Sequence, residues 1–225
     1  MKNTDNRFVA TLLKDRRSVR KFNPDFKIEP EKLDLILEAA RYSPTSYGVL
    51  NQRILVLSNK EIKQEMLPLF FYQDAFLKSS VYLMFIVDKG EYILSETVYK
   101  AENYMHVEDS FSKLKIDIAN MNGWWDDKFN AKTLSNSTDW SIMQAYISMS
   151  AAMIQAEQVE IDTCPHEGFN RDKVDEYLVN HNYISTKETM AIGLALGKAD
   201  CGHHRPCHYA EKVRKTKEDY IKEIK

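Results

Sequence analysis

Residues 16–22 read Arg16-Arg17-Ser18-Val19-Arg20-Lys21-Phe22. Three guanidinium groups and a hydroxyl fall within the first five of these positions. A guanidinium fork matches phosphate oxygens two bonds at a time, which a lysine ammonium does not. In an extended backbone, alternation puts Arg16, Ser18 and Arg20 on one side. That arrangement is a cradle for a phosphate monoester. Taken by itself the run reads equally as a solvated basic turn, the commoner fate of a charge run. Its neighbours decide between the two.

Upstream, Phe8, Val9, Leu12 and Leu13 recur at helical spacing, so a helix runs into the cluster. Downstream, residues 30–42 predict a second helix. Pro30 suits its first turn, and Leu33, Ile36, Leu37 and Ala40 form an inward stripe. Ser43-Pro44 ends it, because proline disfavours helical geometry in the residue before it. The polar loop 45–52 then offers hydroxyls and amides between a helix and a strand, a common place for ligand contacts. Residues 54–58 predict a short buried strand and 61–71 a helix. The continuous apolar run 81–87 predicts the central strand of a covered sheet.

Residues 92–121 read mainly as helix. The looser segment 122–136 carries Trp124, Trp125 and Phe129, a substrate lid or a packed loop. A long helix is predicted over 139–158, with a capping signal at Ser137, Thr138 and Asp139. Its methionines belong to the core or to a dimer interface. Residues 160–164 lead into Pro165-His166-Glu167-Gly168-Phe169, read as a turn. Gly168 there lets a backbone N–H approach a ligand ring closely, or simply lets the chain turn. Asn170 caps a predicted helix over 171–179, and 190–196 is a third apolar strand. Residues 198–225 are charged and poor in core-forming side chains. They read as an extension that wraps a surface or a partner subunit.

The chain has 225 residues, 44% of them hydrophobic and 28% charged. No linker and no internal repeat divides it, so a single α+β domain over 1–225 is expected, burying ~70% of its unfolded surface. The net charge of −2 argues against a general nucleic-acid or membrane-surface binder. No apolar leader is visible, and the longest apolar run is far short of the ~20 residues of a membrane helix. A soluble, cytoplasmic protein is expected. Three cysteines suggest reduced thiols. Neither G-x-G-x-x-G nor a P-loop occurs, so any nucleotide is held another way. The run Cys201-Gly202-His203-His204-Arg205-Pro206-Cys207-His208 raises the question of zinc. Its spacing fits no ribbon or finger, and Arg205 at its centre repels a cation. No metal site is expected, although a Cys/His module without any flavin is the competing class.

Arg-Arg-Ser-x-Arg-x-Phe at 16–22 resembles the N-terminal signature of the nitroreductase family of flavoproteins. Ser43-Pro44-Thr45-Ser46 falls where that family has its Pro-Ser/Thr-Ser loop. Glu167-Gly168-Phe169 matches its Gly-Phe turn, and Arg205 falls where it places a basic residue. The four motifs occur in order over roughly residues 7–206. The resemblance implies a small, mainly antiparallel central sheet surrounded by helices, in an intertwined homodimer with FMN at the interface and 198–225 wrapping the partner subunit. It implies that Arg16, Ser18, Arg20 and Arg205 bind the FMN phosphate, with Arg17 in support and His203 nearby. Pro165, His166, Glu167 and Gly168 would line the isoalloxazine, with the Glu167 and Gly168 N–H groups toward flavin N5. Thr45, Ser46, Tyr47 and Asn51 would reach in from the other subunit.

The family often has Gln-Pro-Trp where this chain has Leu50-Asn51-Gln52, so Asn51 is the expected partner of the pyrimidine edge. Gln73 stands in for an amide contact, and Asp74 stands where a lysine is common. The implied activity passes hydride from NAD(P)H through flavin N5 to a nitroaromatic, a quinone or another small electrophile. No residue takes a direct catalytic role, because the cofactor carries the chemistry. A flavin-processing, dehalogenating or flavin-binding relative without nitroreductase turnover is the alternative.

Overall fold

The computed structural model describes residues 9–45, 49–93, 134–200 and 212–225. Four strands form one antiparallel sheet in the order β1-β2-β4-β3. They are β1 (Gln52–Leu57), β2 (Val81–Asp88), β3 (Asp162–His166) and β4 (Glu188–Gly197). The expected α+β architecture, a small antiparallel sheet surrounded by helices, is what the chain adopts, with helices on both faces of this sheet.

β2 is buried on both faces, as its unbroken apolar run requires. Alternate side chains feed two cores. Tyr82, Met84 and Ile86 pack with Phe70, Phe76 and Leu178 on one face. Leu83, Phe85 and Val87 pack on the other with Ile36, Ala40, Ala145 and Ala152. The first core is closed by α3 (Lys60–Met66), the 3-10 turn Leu67–Phe70 and α4 (Asp74–Lys78), after α1 (Val9–Asp15) has started the chain. The second core lies under α2 (Pro30–Arg41) and the long helix α6 (Leu134–Gln158), which follows the short turn α5 (Gly90–Tyr92). Small residues along α6, buried at Ala145, Ser148, Ala152 and Ala156, let α2 and the sheet approach it. α7 (Arg171–Asn180) returns to the first face, and α8 (Lys217–Tyr220) lies in an exposed tail.

Two local expectations are corrected. The segment read as a turn at 165–169 begins with a strand: β3 pairs with β4 from Asp162↔Gly197 to His166↔Gly193. β3 is short, polar and interrupted by proline, which hid it. Proline is tolerated because β3 lies at the edge of the sheet. Second, α6 starts at Leu134, before the supposed cap. Thr138 instead accepts a hydrogen bond from the Gly90 N–H at 2.9 Å, joining α5 to α6. Among the described residues, no helix is long and apolar enough to cross a membrane.

The arginine segment is fixed against β3. The Val19 N–H donates to the Thr163 carbonyl at 3.0 Å, Ser18 bridges to Thr163, and Val19 and Phe22 are buried. Residues 21–23 then pair with 198–200 beyond β4. The guanidinium groups are therefore carried by a strand-like segment with two hydrophobic anchors, not by a solvated turn.

Candidate functional site

Where β3 ends, the chain leaves the sheet through Glu167 and Gly168 and opens a cavity of about 360 Å³. Its walls bring together Arg20, Gln73, the Pro165–Gly168 run, Tyr146 and Met149 of α6, and Ile192 of β4. The turn is held from two sides. Gln73 Nε2 donates to the carbonyls of Gly168 and Phe70, and Tyr146 donates its phenol proton to a Glu167 carboxylate oxygen at 2.7 Å. A Cβ on Gly168 would stand 2.7 Å from Gln73 Nε2, so a side chain here requires the Gln73 amide to give way. The Tyr146 phenol is pushed up to about 12 by burial and by the Glu167 carboxylate.

His166 is 2% exposed, and neither ring nitrogen has a hydrogen-bond partner. Burial, assisted by Arg20, holds its pKa down at about 4, so the imidazole is neutral at pH 7. Buried polar atoms without partners typically cost about 1–3 kcal/mol each. Arg16 Nε is another such atom. These three atoms beside one open cavity and its flank mark a place built for a polar ligand.

The other cations gather around Arg16. Its Nη1 reaches Ser18 Oγ at 3.4 Å, and burial lowers its pKa, with Glu157 and Cys164 opposing that and Arg214 and Arg17 reinforcing it. Arg17 turns back to cap α1, donating to the carbonyls of Lys14, Asp15 and Arg16. A second concavity of about 440 Å³ is lined by Lys14, Arg17, Lys212 and Arg214 with Asp15 as its acid. Burial and then Arg17, Arg16 and Arg214 lower the Lys212 pKa. Mutually repelling cations held together by the fold form an anion site in waiting.

The family model described as Nitroreductase family matches residues 13–198. The chain belongs to the nitroreductase family. A relative from Staphylococcus haemolyticus, named "Putative NAD(P)H nitroreductase", is 29% identical over 93% of this chain and 94% of its own length. A similarly named Haemophilus influenzae protein is 27% identical over 95% of each chain. Among solved structures, an Exiguobacterium sibiricum "putative nitroreductase in complex with FMN" superposes with a TM-score of 0.72 at 21% identity, covering 97% of this chain and 98% of its own.

In this member of the family, the candidate residues divide into groups. Arg20, Gln73, Pro165, His166, Glu167 and Gly168 share one cavity. Arg16 and Ser18 lie beside β3, and Arg20 lines the cavity wall with Glu167 and Gly168. Gln73 holds the turn with its amide nitrogen rather than presenting that donor to the cavity. Asp74 pairs with Lys78 at 3.1 Å, outside the cavity lining.

Asn51 is buried beneath α6, with Nδ2 donating to Ser141 Oγ at 2.6 Å. Thr45 lines a separate concavity of about 400 Å³ with Leu37, Leu50, Gln52 and Ser148. Within one chain neither Thr45 nor Asn51 is among the described residues that line the Arg20 cavity. Ser46, Tyr47, Trp124, Trp125, Phe129, His203 and Arg205 lie outside the described residues, as do Cys201 and Cys207. Among the described residues no group of His, Cys, Asp and Glu could hold a metal ion. Lys212 and Arg214 were missed by the sequence argument. The signal was present: two cations separated by one residue, the alternation that singled out Arg16, Ser18 and Arg20.

Proposed function

We propose that this protein is an FMN-dependent oxidoreductase that takes hydride from NAD(P)H and passes it to a nitroaromatic, quinone or similar small electrophile. The observation carrying this is the cavity at the open end of β3, lined by the Pro165–Gly168 run, where His166 leaves two buried ring nitrogens unpartnered. The FMN-bound neighbour of the same fold and the names of the NAD(P)H nitroreductase relatives support it. The residues present suit the cofactor. Pro165–Gly168, Met149 and Ile192 would hold the planar ring. Arg20 supplies positive charge at the ring edge. Arg16, Ser18, Lys212 and Arg214 hold the phosphate, with Arg17 fixing the backbone beneath them. When bound, FMN supplies the two-electron chemistry, while the protein orients it and tunes it.

The chain's own contributions follow from the geometry. Tyr146 and Gln73 clamp the turn so that the Glu167 and Gly168 backbone stays aimed at the cavity. A rigid donor array and the Arg20 charge stabilise negative charge as it develops in the ring. The reading includes a homodimer. Met143 and Ile147 on α6 are 60% and 44% exposed, and Leu50 is 49% exposed, apolar side chains that a partner subunit would cover. The partner's Thr45–Asn51 loop then completes the cavity, and the exposed tail wraps the partner.

The test begins with colour. The purified protein carries or takes up FMN, and anaerobic NADH or NADPH bleaches the flavin band. Replacing Arg16 and Lys212 together by Ala weakens FMN binding by at least about tenfold, since a charge-assisted hydrogen bond contributes roughly 1.5–3 kcal/mol. A protein that takes up no FMN overturns the proposal. A flavin that binds but is not bleached by either nucleotide points to the non-reducing relatives instead.

A further inference from the structure

We infer that His166 is a redox-linked proton acceptor: a neutral, buried imidazole at the ring cavity that gains one proton from solvent when the bound flavin gains two electrons. This rests on the flavin reading above and concerns a side chain of this chain's own. The argument is one of charge. Among the described residues, the cavity lining holds one fixed cation, Arg20, and one carboxylate, Glu167. The fixed charge of that described lining is therefore zero. Asp74, where a lysine would add a second positive charge, pairs with Lys78 instead. Hydride transfer brings two electrons and one proton into a neutral ring and leaves one uncompensated negative charge in a partly enclosed site. Such a charge costs more the less water reaches it.

His166 is the imidazole in that lining, and its surroundings make it a switchable cation. It faces Arg20 from the 16–22 segment and the Tyr82 ring from β2, with ring centroids 5.5 Å apart. Cys164 lies two residues back on β3, and Glu167 follows it, held by Tyr146 from α6. Neither ring nitrogen is spent on another group. Burial and Arg20 favour the neutral form while the ring is oxidised, in line with the direction of its pKa shift. A new negative charge a few ångströms away reverses that preference. The balance is then complete. NAD(P)H gives two electrons and a proton, solvent gives one proton to His166, and the cavity returns to zero net charge.

The experiment uses FMN-loaded protein, wild type and His166→Gln, with His166→Leu as an apolar control. Spectroelectrochemical titration between pH 6 and 8 gives the two-electron midpoint at each pH. With two protons taken up, the wild-type reduction equilibrium falls a hundredfold per pH unit. Without the imidazole it falls tenfold, so the slopes differ by about 30 mV per pH unit. In parallel, 15N-histidine spectra report a neutral His166 in the oxidised protein and a protonated one after reduction. Equal slopes in wild type and His166→Gln, or an imidazole neutral in both states, overturn the inference while leaving the flavin reading intact. A wild type that binds no FMN overturns both.

Discussion

Replacing Gly193 by Ala tests the packing that places β3 beside the cavity. Gly193 is the β4 partner of His166. A Cβ built there stands 1.9 Å from the Tyr82 hydroxyl and 2.4 Å from Cζ. Tyr82 cannot swing aside. It is fully buried, edge-on to Phe70 at 5.4 Å and to Phe76 at 4.8 Å, and those two rings stack on each other at 3.8 Å. Overpacking of a filled core typically costs 1–3 kcal/mol, and a clash with a locked ring belongs near the top of that range. For a chain of this size ~3 kcal/mol lowers the melting temperature by roughly 6–12 °C. The Tyr82 hydroxyl has no partner, so Tyr82→Phe alone is close to neutral. Tyr82→Phe removes the nearest clash and leaves the one with Cζ, so the double variant recovers about 1 kcal/mol of the loss. Thermal melts followed by circular dichroism measure all three proteins. A Gly193→Ala protein melting within 2 °C of wild type, or a double-mutant cycle with no coupling, would refute the packing argument.

Three further outcomes are expected. His166 has a folded pKa of about 4 against 6.5 unfolded, so its contribution is present above pH 6.5 and is lost as pH falls toward 4, by up to about 3 kcal/mol. Flavin-free His166→Leu should show a flatter loss of melting temperature between pH 7 and 4.5. Lys63 is buried with its Nζ on the Ser79 carbonyl at 2.7 Å and hydroxyl at 3.1 Å, and burial holds its pKa at about 7. The unfolded chain binds that proton up to about pH 10.5, so wild type gains stability as pH rises from 7 toward 10, and Lys63→Met removes that gain. Gly168→Ala forces the turn against Gln73 and weakens FMN uptake, measured by flavin fluorescence quenching, and adding Gln73→Ala restores part of it.

Most of the fold was legible in the sequence because β2 and β4 are near-continuous apolar runs and α2 carries an apolar stripe. β2 announced itself by an unbroken run that buries every side chain but the last. β3 did not, since Asp162-Thr163-Cys164-Pro165-His166 has neither alternation nor apolar continuity. Its strand character comes from pairing with β4, a long-range effect that local pattern cannot report. At the site, backbone-defined features were easier to read than side-chain partners. The Glu167-Gly168 turn follows from glycine's freedom. By contrast, the Asn51–Ser141 bond joins residues ninety apart. Gln73 was chosen for its amide, and the amide matters, but to hold Gly168 rather than to face outward. Lys212 and Arg214 were overlooked because a charged tail invites treatment as solvent-facing surface.

Pro165 has a consequence beyond the cavity it helps to line. An edge strand normally offers a ladder of free donors and acceptors on which another polypeptide can crystallise into the sheet. On β3 the chain from Ser18 to Val19 occupies part of that ladder, and the proline ring deletes a donor just before the opening. A stray extended peptide therefore finds no continuous template there. The protein can keep one end of its sheet uncovered for a small molecule, at cellular concentrations, without that opening seeding fibrillar growth.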